Sequence, residues 1–261
     1  TLYNVNLTTG KATNIGAFPQ KIIDLAIPTE AVAYSVDNSN ALQIFNPNNP
    51  IPVSKPITGL QAGENILGVD FRPLNGQLYA LGSSSRIYTL NLGTGAATAV
   101  GAQFPTLLNG TDFGFDFNPT VDRIRVVSNT GQNLRLNPID GTISATDGMI
   151  NPGTPTLSGA AYTNSFAGAT TTELFVVDHA TDKLYLQSPP NAGTLVEKGS
   201  LGIDISNSNG FDIGSTSNKA YLLATVAGVT KIYLVNTTNG STTAVSTFPN
   251  TTRGFSVGLG F

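Results

Sequence analysis

One pattern is stated twice in succession between Gly68 and Pro138, and it narrows the choice of fold more than any other feature of the chain. The first statement runs Gly68-Val-Asp-Phe-Arg-Pro73, Gln77-Leu-Tyr-Ala-Leu81, Arg86-Ile-Tyr-Thr-Leu-Asn91, Gly93-Thr-Gly95 and Ala96-Ala-Thr-Ala-Val-Gly101. The second runs Gly114-Phe-Asp-Phe-Asn-Pro119, Arg123-Ile-Arg-Val-Val127, Gln132-Asn-Leu-Arg-Leu-Asn-Pro138 and Asp140-Gly141. Each is four short runs of β-branched and aromatic residues separated by Asn, Gly, Pro, Ser and Thr, which is how a four-stranded antiparallel meander is written. The period of about 45 residues lies in the length range of one propeller blade.

Two landmarks carry the repeat through the chain. The inner-strand pattern, apolar-Asp-apolar, stands at Ile23-Asp24-Leu25, Val69-Asp70-Phe71, Phe115-Asp116-Phe117 and Phe211-Asp212-Ile213, with Ala161-Tyr162-Thr163 and Phe255-Ser256-Val257 in its place elsewhere. A late turn stands at Asn6 to Gly10, Asn46 to Pro50, Asn91 to Gly95, Asn137 to Gly141, Ser188 to Gly193 and Asn236 to Gly240. Six copies of each predict an all-β chain, one propeller domain over residues 1–261 with about six blades. Thr1 to Leu7 matches a third strand and Phe255 to Phe261 a first strand, so the two ends are expected to share the closing blade. In this alignment that blade lacks its second strand. It could be three-stranded with the Thr1 strand shifted inward, it could have lost a strand with an N-terminal segment, or it could take one from another copy of the chain, making a self-assembling unit.

Charged residues make up 11% of the chain and the formal net charge is −3. No basic surface is available for nucleic acid or anionic lipid. Cysteine is absent, which removes disulfides, thiol catalysis and Cys-ligated zinc. No apolar run approaches the roughly 20 residues of a membrane span. A neutral surface of Asn, Thr, Ser and Gly suits the cell exterior, so an extracellular or cell-surface location is expected, with any signal peptide already removed.

The run from Gly68 to Asn91, the longer motif from Phe113 through Asp116 and Arg123 to Pro138, and Ala160-Ala-Tyr-Thr-Asn-Ser-Phe-Ala-Gly-Ala169 together resemble the bacterial family called domain of unknown function 4394. That resemblance implies a secreted or surface-associated propeller-like domain with no assigned catalytic activity, and it brings no functional residues with it.

Among the residues themselves, Asp24, Asp70, Asp116 and Asp212 recur at one register of the strands expected to line the central channel. Converging carboxylates there could bind a ligand or hold calcium, with Asp70 and Asp116 as the candidate metal ligands; no other cofactor is expected. Alternatively, each Asp accepts backbone N–H groups at the crowded axis, and a residue that repeats is explained by a fold that repeats. Arg123 and Arg125 alternate in one strand and share a face, positioned either for a ligand carboxylate or sugar or for ion pairs between blades. His179, the sole histidine, reads as a turn tip. Two functions follow. One is a non-catalytic extracellular module that binds a glycan or surface protein, or that self-assembles. The other is a hydrolase or lyase acting on polysaccharide at the channel mouth.

Overall fold

The two clearest repeats fold as expected, each into one antiparallel four-stranded sheet. The computed structural model describes residues 1–5, 9–17, 31–207 and 209–260. Blade 2 is Ile66–Phe71, Leu78–Gly82, Arg86–Leu90 and Ala97–Val100; blade 3 is Phe113–Asn118, Arg123–Ser128, Asn133–Leu136 and Ile143–Thr146. Blade 4 is Leu157–Tyr162, Leu174–Asp178, Lys183–Gln187 and Leu195–Ser200; blade 5 is Asn209–Ile213, Ala220–Val226, Val229–Val235 and Thr242–Thr247. Within a blade, burial falls from the axis outward. Phe113–Asn118 is buried on both faces almost throughout, whereas Ile143–Thr146 alternates between half-buried and exposed. This is why first strands read as continuous apolar runs and fourth strands as Thr and Ala alternations.

The late turn joins third and fourth strands. Asn91 Oδ1 accepts the N–H groups of Gly93 (2.9 Å) and Thr94 (3.0 Å), while Gly95 N–H returns to Asn91 O at 2.8 Å. Gly95 closes the turn at φ +78°, a conformation costly for any residue with a Cβ.

Blade 1 corrects the expectations about closure. Its strands are Ala33–Val36, Ala41–Asn46 and Asn49–Pro56, with Phe255–Val257 paired innermost against Ala33–Val36. The second-strand position that the alignment left empty is therefore filled, by Ala33–Val36. Leu2–Val5 does not enter the blade; it pairs with Ala12–Gly16 in a separate two-stranded sheet. The ring has five four-stranded blades, not about six. Two landmark copies near the start of the chain produced the surplus. The first-strand place in blade 1 is occupied by Phe255–Val257, and the late-turn copy around Gly10 belongs to the separate two-stranded sheet. Ile23, Asp24 and Leu25 lie outside the described residues.

Five buried apolar clusters glue the blades together, one at each interface. The cluster that closes the ring joins Phe45, Phe255 and Val257 of blade 1 to Tyr221, Leu223 and Ile232 of blade 5. Leucine- and phenylalanine-sized side chains each contribute about 1.5–3 kcal/mol when fully buried, so closure is held by packing as well as by backbone pairing.

Candidate functional site

The axis is built in three layers, set by three registers of the inner strands. The middle layer is glycine: Gly68, Gly114, Gly159, Gly210 and Gly254, one per blade. A Cβ on Gly114 would stand 2.6 Å from the Ala160 Cβ, one on Gly159 2.8 Å from the Phe211 Cβ, one on Gly210 2.6 Å from the Phe255 Cβ, and one on Gly254 2.8 Å from the Gly68 Cα. Each glycine admits the strand of the next blade, and the chain of close approaches returns to its start after five steps. The ring therefore has no place for a sixth inner strand. The space it leaves is about 10 Å³, at the lower limit of what one water occupies.

Two residues on from the glycines stand Asp70, Asp116, Ala161, Asp212 and Ser256. Each aspartate reaches forward to the next blade: Phe117 N–H donates to Asp70 Oδ2 (2.8 Å), Tyr162 N–H to Asp116 Oδ1 (2.9 Å) and Val257 N–H to Asp212 Oδ2 (2.6 Å). Blade 4 has Ala161 instead, so the Ile213 N–H that it would have served turns to the Oδ1 of its own neighbour Asp212 at 2.6 Å. Ser256 Oγ bridges Asp70 Oδ1 (2.8 Å) and Asp212 Oδ2 (3.0 Å), giving its proton to one of them.

Asp70, Asp116 and Asp212 are each no more than 3% exposed, and one carboxylate oxygen of each lies within 4.8 Å of the others. Burial pushes the Asp70 carboxyl well above the usual carboxylate range, and the charge of Asp212 adds to the shift. Burial and then Asp70 and Asp212 do the same to Asp116. Burial pushes Asp212 up to about 7 against the pull of its two N–H donors. Asp116 and Asp212 also act on each other, which raises the Asp116 carboxyl and lowers that of Asp212. The three carboxyls favour the protonated form more than free carboxylates do, and they form a plug that ties blades together. Asp24 lies outside the described residues, so the described cluster holds three of the four aspartates expected there.

On the other side of the glycine ring opens a funnel of about 300 Å³. Its floor is the residue preceding each ring glycine: Leu67, Phe113, Ser158, Asn209 and Arg253. The five differ, and they sort by position: Leu67 and Phe113 sit on adjacent blades, and Ser158, Asn209 and Arg253 complete the circle. Asn209 is 4% exposed; its Nδ2 donates to Ser158 Oγ (2.8 Å) and Ser206 O (2.9 Å), but its Oδ1 has no partner. Arg253 donates from Nη2 to Asp37 O at 3.0 Å, and its Nε also has none. Burial lowers the Arg253 pKa. At the rim, Asn207 Nδ2 donates to Asp112 Oδ1 at 2.8 Å.

The arginine strand serves the blade 3–blade 4 contact. Arg125, 2% exposed, donates to Asp147 Oδ2, Asn133 Oδ1 and Asn191 Oδ1, each at 2.7 Å, and to Tyr162 Oη at 3.3 Å. Arg135 grips the same Asp147 with two bonds. Arg123 does not join this network; its Nη1 donates to Asp122 O at 2.8 Å, while the Asp122 carboxylate pairs with Arg72 of blade 2. His179 lies in the turn between the second and third strands of blade 4. None of these groups lines the funnel. Sequence reasoning missed Asn209 and Arg253 because it followed the residues that repeat. The available signal was the opposite one, a position before each ring glycine where the repeat stops being obeyed.

The family model described as Domain of unknown function (DUF4394) matches residues 41–257. The chain belongs to this family. In this DUF4394 chain the matched span covers blades 2 to 5 and most of blade 1, and so includes the plug and all of the funnel lining but Asn38. No match is found among curated proteins. Among solved structures, TolB from Acinetobacter baumannii is similar at 14% identity and a TM-score of 0.49, over 84% of this chain and 53% of that one. The Dos1 propeller is similar at 13% identity and 0.44, over 82% and 61%. The dihydro-heme d1 dehydrogenase NirN in complex with DHE is similar at 12% identity and 0.40, over 95% and 48%. This chain thus spans about half to three-fifths of the length of these structures. Among the described residues no helix is long and apolar enough to cross a membrane.

Proposed function

We propose that this DUF4394 propeller is a non-catalytic binding module of the cell exterior that takes its ligand in the axial funnel. The observation that carries this reading is the funnel floor. Five residues occupy one register of a repeated fold yet share no chemistry, and together they line a funnel of about 300 Å³. The low charge of the chain and its neutral polar turns fit an exterior location. Self-assembly by strand donation loses its motive, because the place for a donated strand in blade 1 is filled from within the chain.

The hydrolase or lyase alternative drew on the axial carboxylates. These are buried, hydrogen-bonded to backbone and separated from the funnel by the glycine ring, so they lack the reach of a substrate that acid–base chemistry requires. A second role for them is favoured by one observation: oxygens within 4.8 Å of each other match the span across a calcium ion with ligand distances of about 2.4 Å.

The test is amide NMR of the isotopically labelled protein with a fragment library, alongside incubation with polysaccharides and analysis for new reducing ends or unsaturated products. Shifts confined to Asn38, Asp112 and Arg253 with no product support a binding module. Product formation abolished by Asp70→Asn or Asp116→Asn would reinstate the enzyme. Calcium added at pH 8 should raise the unfolding temperature if the plug holds the ion; an unchanged temperature removes that role.

A further inference from the structure

We infer that the cleft between blades 3 and 4, at the opposite end of the ring from the funnel, binds a sugar carrying an oxyanion, with Arg123 and Arg135 gripping the charge and a threonine-rich hollow holding the hydroxylated body. The site stands apart from the funnel and does not depend on the reading given to it. Its first support is a break in the repeat. The second-strand residue paired with the plug position of the first strand is Tyr34, Tyr79, Phe175 and Tyr221 in blades 1, 2, 4 and 5, but Arg125 in blade 3. Facing it on the third strand stand Ile44, Thr89, Leu186 and Leu234, but Arg135 in blade 3. Blade 3 alone exchanges a ring and a neutral partner for two guanidinium groups. A third, Arg123, lies two residues before Arg125 and so on the same face.

The charges there do not balance. Asp147 serves both Arg125 and Arg135. Arg123 gives an N–H to the backbone of Asp122, whose carboxylate is taken by Arg72. Asp140, in the turn after the third strand, accepts the N–H (3.0 Å) and hydroxyl (2.8 Å) of Thr142. Among the described residues no carboxylate pairs with Arg123. Arg125 is buried and spends its donors within the protein, pinning Asn191 to the wall of the cleft. Arg123 is half-buried and the Arg135 side chain is 31% exposed, so both remain within a ligand's reach. Their planar forks suit the oxygens of a carboxylate or a phosphate.

The cleft has room for more than the anion. All three arginines line a hollow of about 150 Å³ whose other walls include Val121 and Pro190; apolar walls displace water and strengthen an ion pair made beside them. Across Asn118, Tyr162 and Pro190 it adjoins a second hollow of about 410 Å³, larger than the funnel. Thr120, Thr170, Thr171 and Ser188 line that second hollow and are exposed, offering neutral hydroxyls to exchange hydrogen bonds with those of a sugar. Its one acid, Glu173, repels an anion and so sets the charged end of the ligand at the arginines.

The deciding experiment is amide NMR titration of the intact protein with glucuronate, glucose 6-phosphate, glucose and acetate. Glucuronate or glucose 6-phosphate is expected to shift Val121, Arg123, Thr171 and Asn191, the tighter of the two naming the oxyanion, and to lose affinity as salt is raised. Glucose, which lacks the charge, and acetate, which lacks the body, should each bind at least tenfold more weakly. Arg123→Gln should keep the wild-type urea midpoint and weaken the charged sugar at least tenfold; Thr171→Val should weaken it severalfold. Glucose binding as tightly as the charged sugars, or unchanged affinity in folded Arg123→Gln, overturns the oxyanion assignment. Acetate binding as tightly as glucuronate overturns the sugar body. A charged sugar that shifts Asn38 and Asp112 but not the cleft overturns this site and leaves the funnel reading standing, whereas cleft shifts without funnel shifts support this site whatever becomes of the funnel. Cleft amides that respond to none of the four probes overturn the proposal.

Discussion

Replacing Asp116 by Asn should leave the propeller nearly as stable at pH 5 and make it less sensitive to alkali, whereas Asp116→Ala should destabilise it throughout. The isosteric amide keeps an oxygen for the Tyr162 N–H, which lies 2.9 Å from Asp116 Oδ1, and its Nδ2 donates as a protonated carboxyl would. It is a permanent copy of the protonated carboxyl. The magnitude follows from Asp212, raised from 3.8 to about 7 in the folded chain. In the unfolded chain the group titrates near its ordinary value, so the folded state holds the proton more tightly. The contribution to stability is full below about pH 4, falls as pH rises through about 7, and is level above that. About three pK units at 1.36 kcal/mol each make the fall roughly 4 kcal/mol from this carboxyl. Asp70 and Asp116, shifted in the same direction, add to it. Urea unfolding followed by circular dichroism at pH 5, 7 and 8.5 measures the effect. Wild type should lose stability across that series and Asp116→Asn should lose less. Asp116→Ala strands the Tyr162 N–H and should cost about 1–3 kcal/mol at every pH. Wild-type stability that rises between pH 5 and 8.5, or an Asn variant as damaged as the Ala variant, would refute the protonated plug.

Gly114→Ala places a methyl 2.6 Å from the Ala160 Cβ and 2.7 Å from its backbone nitrogen, and should cost about 1–3 kcal/mol by thermal denaturation. Gly16→Ala, with nothing within 4 Å, should change stability by less than about 0.5 kcal/mol; equal effects would mean the glycine ring is not tight. Arg125→Met leaves Asn133 Oδ1 and Asn191 Oδ1 without that donor while Asp147 keeps Arg135, and should cost about 1–3 kcal/mol. Arg123→Ala, outside that network, should cost less than about 1 kcal/mol in the same urea assay, and a reversal of the order would place the inter-blade tie at the wrong arginine.

The blade architecture was legible because strand period, turn chemistry and repeat length all pointed the same way in blades 2 and 3. The blade count was not, because it is decided by pairing between residues more than 200 positions apart: the Ser35 and Thr252 hydroxyls, separated by 217 residues, meet at 2.7 Å. No local pattern says that Phe255–Val257 will claim the inner edge of Ala33–Val36. At the axis, the aspartates stood out because they repeat, and the inter-blade hydrogen bonds of Asp70, Asp116 and Asp212 are the kind of pairing that repetition implies. Arg125 was legible as a residue with a partner to find, but Asp147, which pairs with it, stands in a segment that reads as irregular loop. Asn209 and Arg253 were hidden for a different reason. Each is unremarkable in its own blade, and only superposing five strands on one axis reveals that the position before the glycine has been freed from the repeat.

The pairing of Phe255–Val257 with Ala33–Val36 also dictates the order in which the molecule can be made. Blades 2 to 5 are each continuous in sequence and can form as the chain leaves the ribosome, through contacts that are short in sequence. Blade 1 cannot. Until residue 257 has emerged, Ala33–Val36 presents a bare inner edge with its backbone groups unpaired, the kind of template that recruits strands from other chains. The interval between completing blade 2 and delivering that strand is when a nascent chain is most exposed to its neighbours, so conditions that slow synthesis beyond residue 56 should lower the yield of folded protein without altering its final stability.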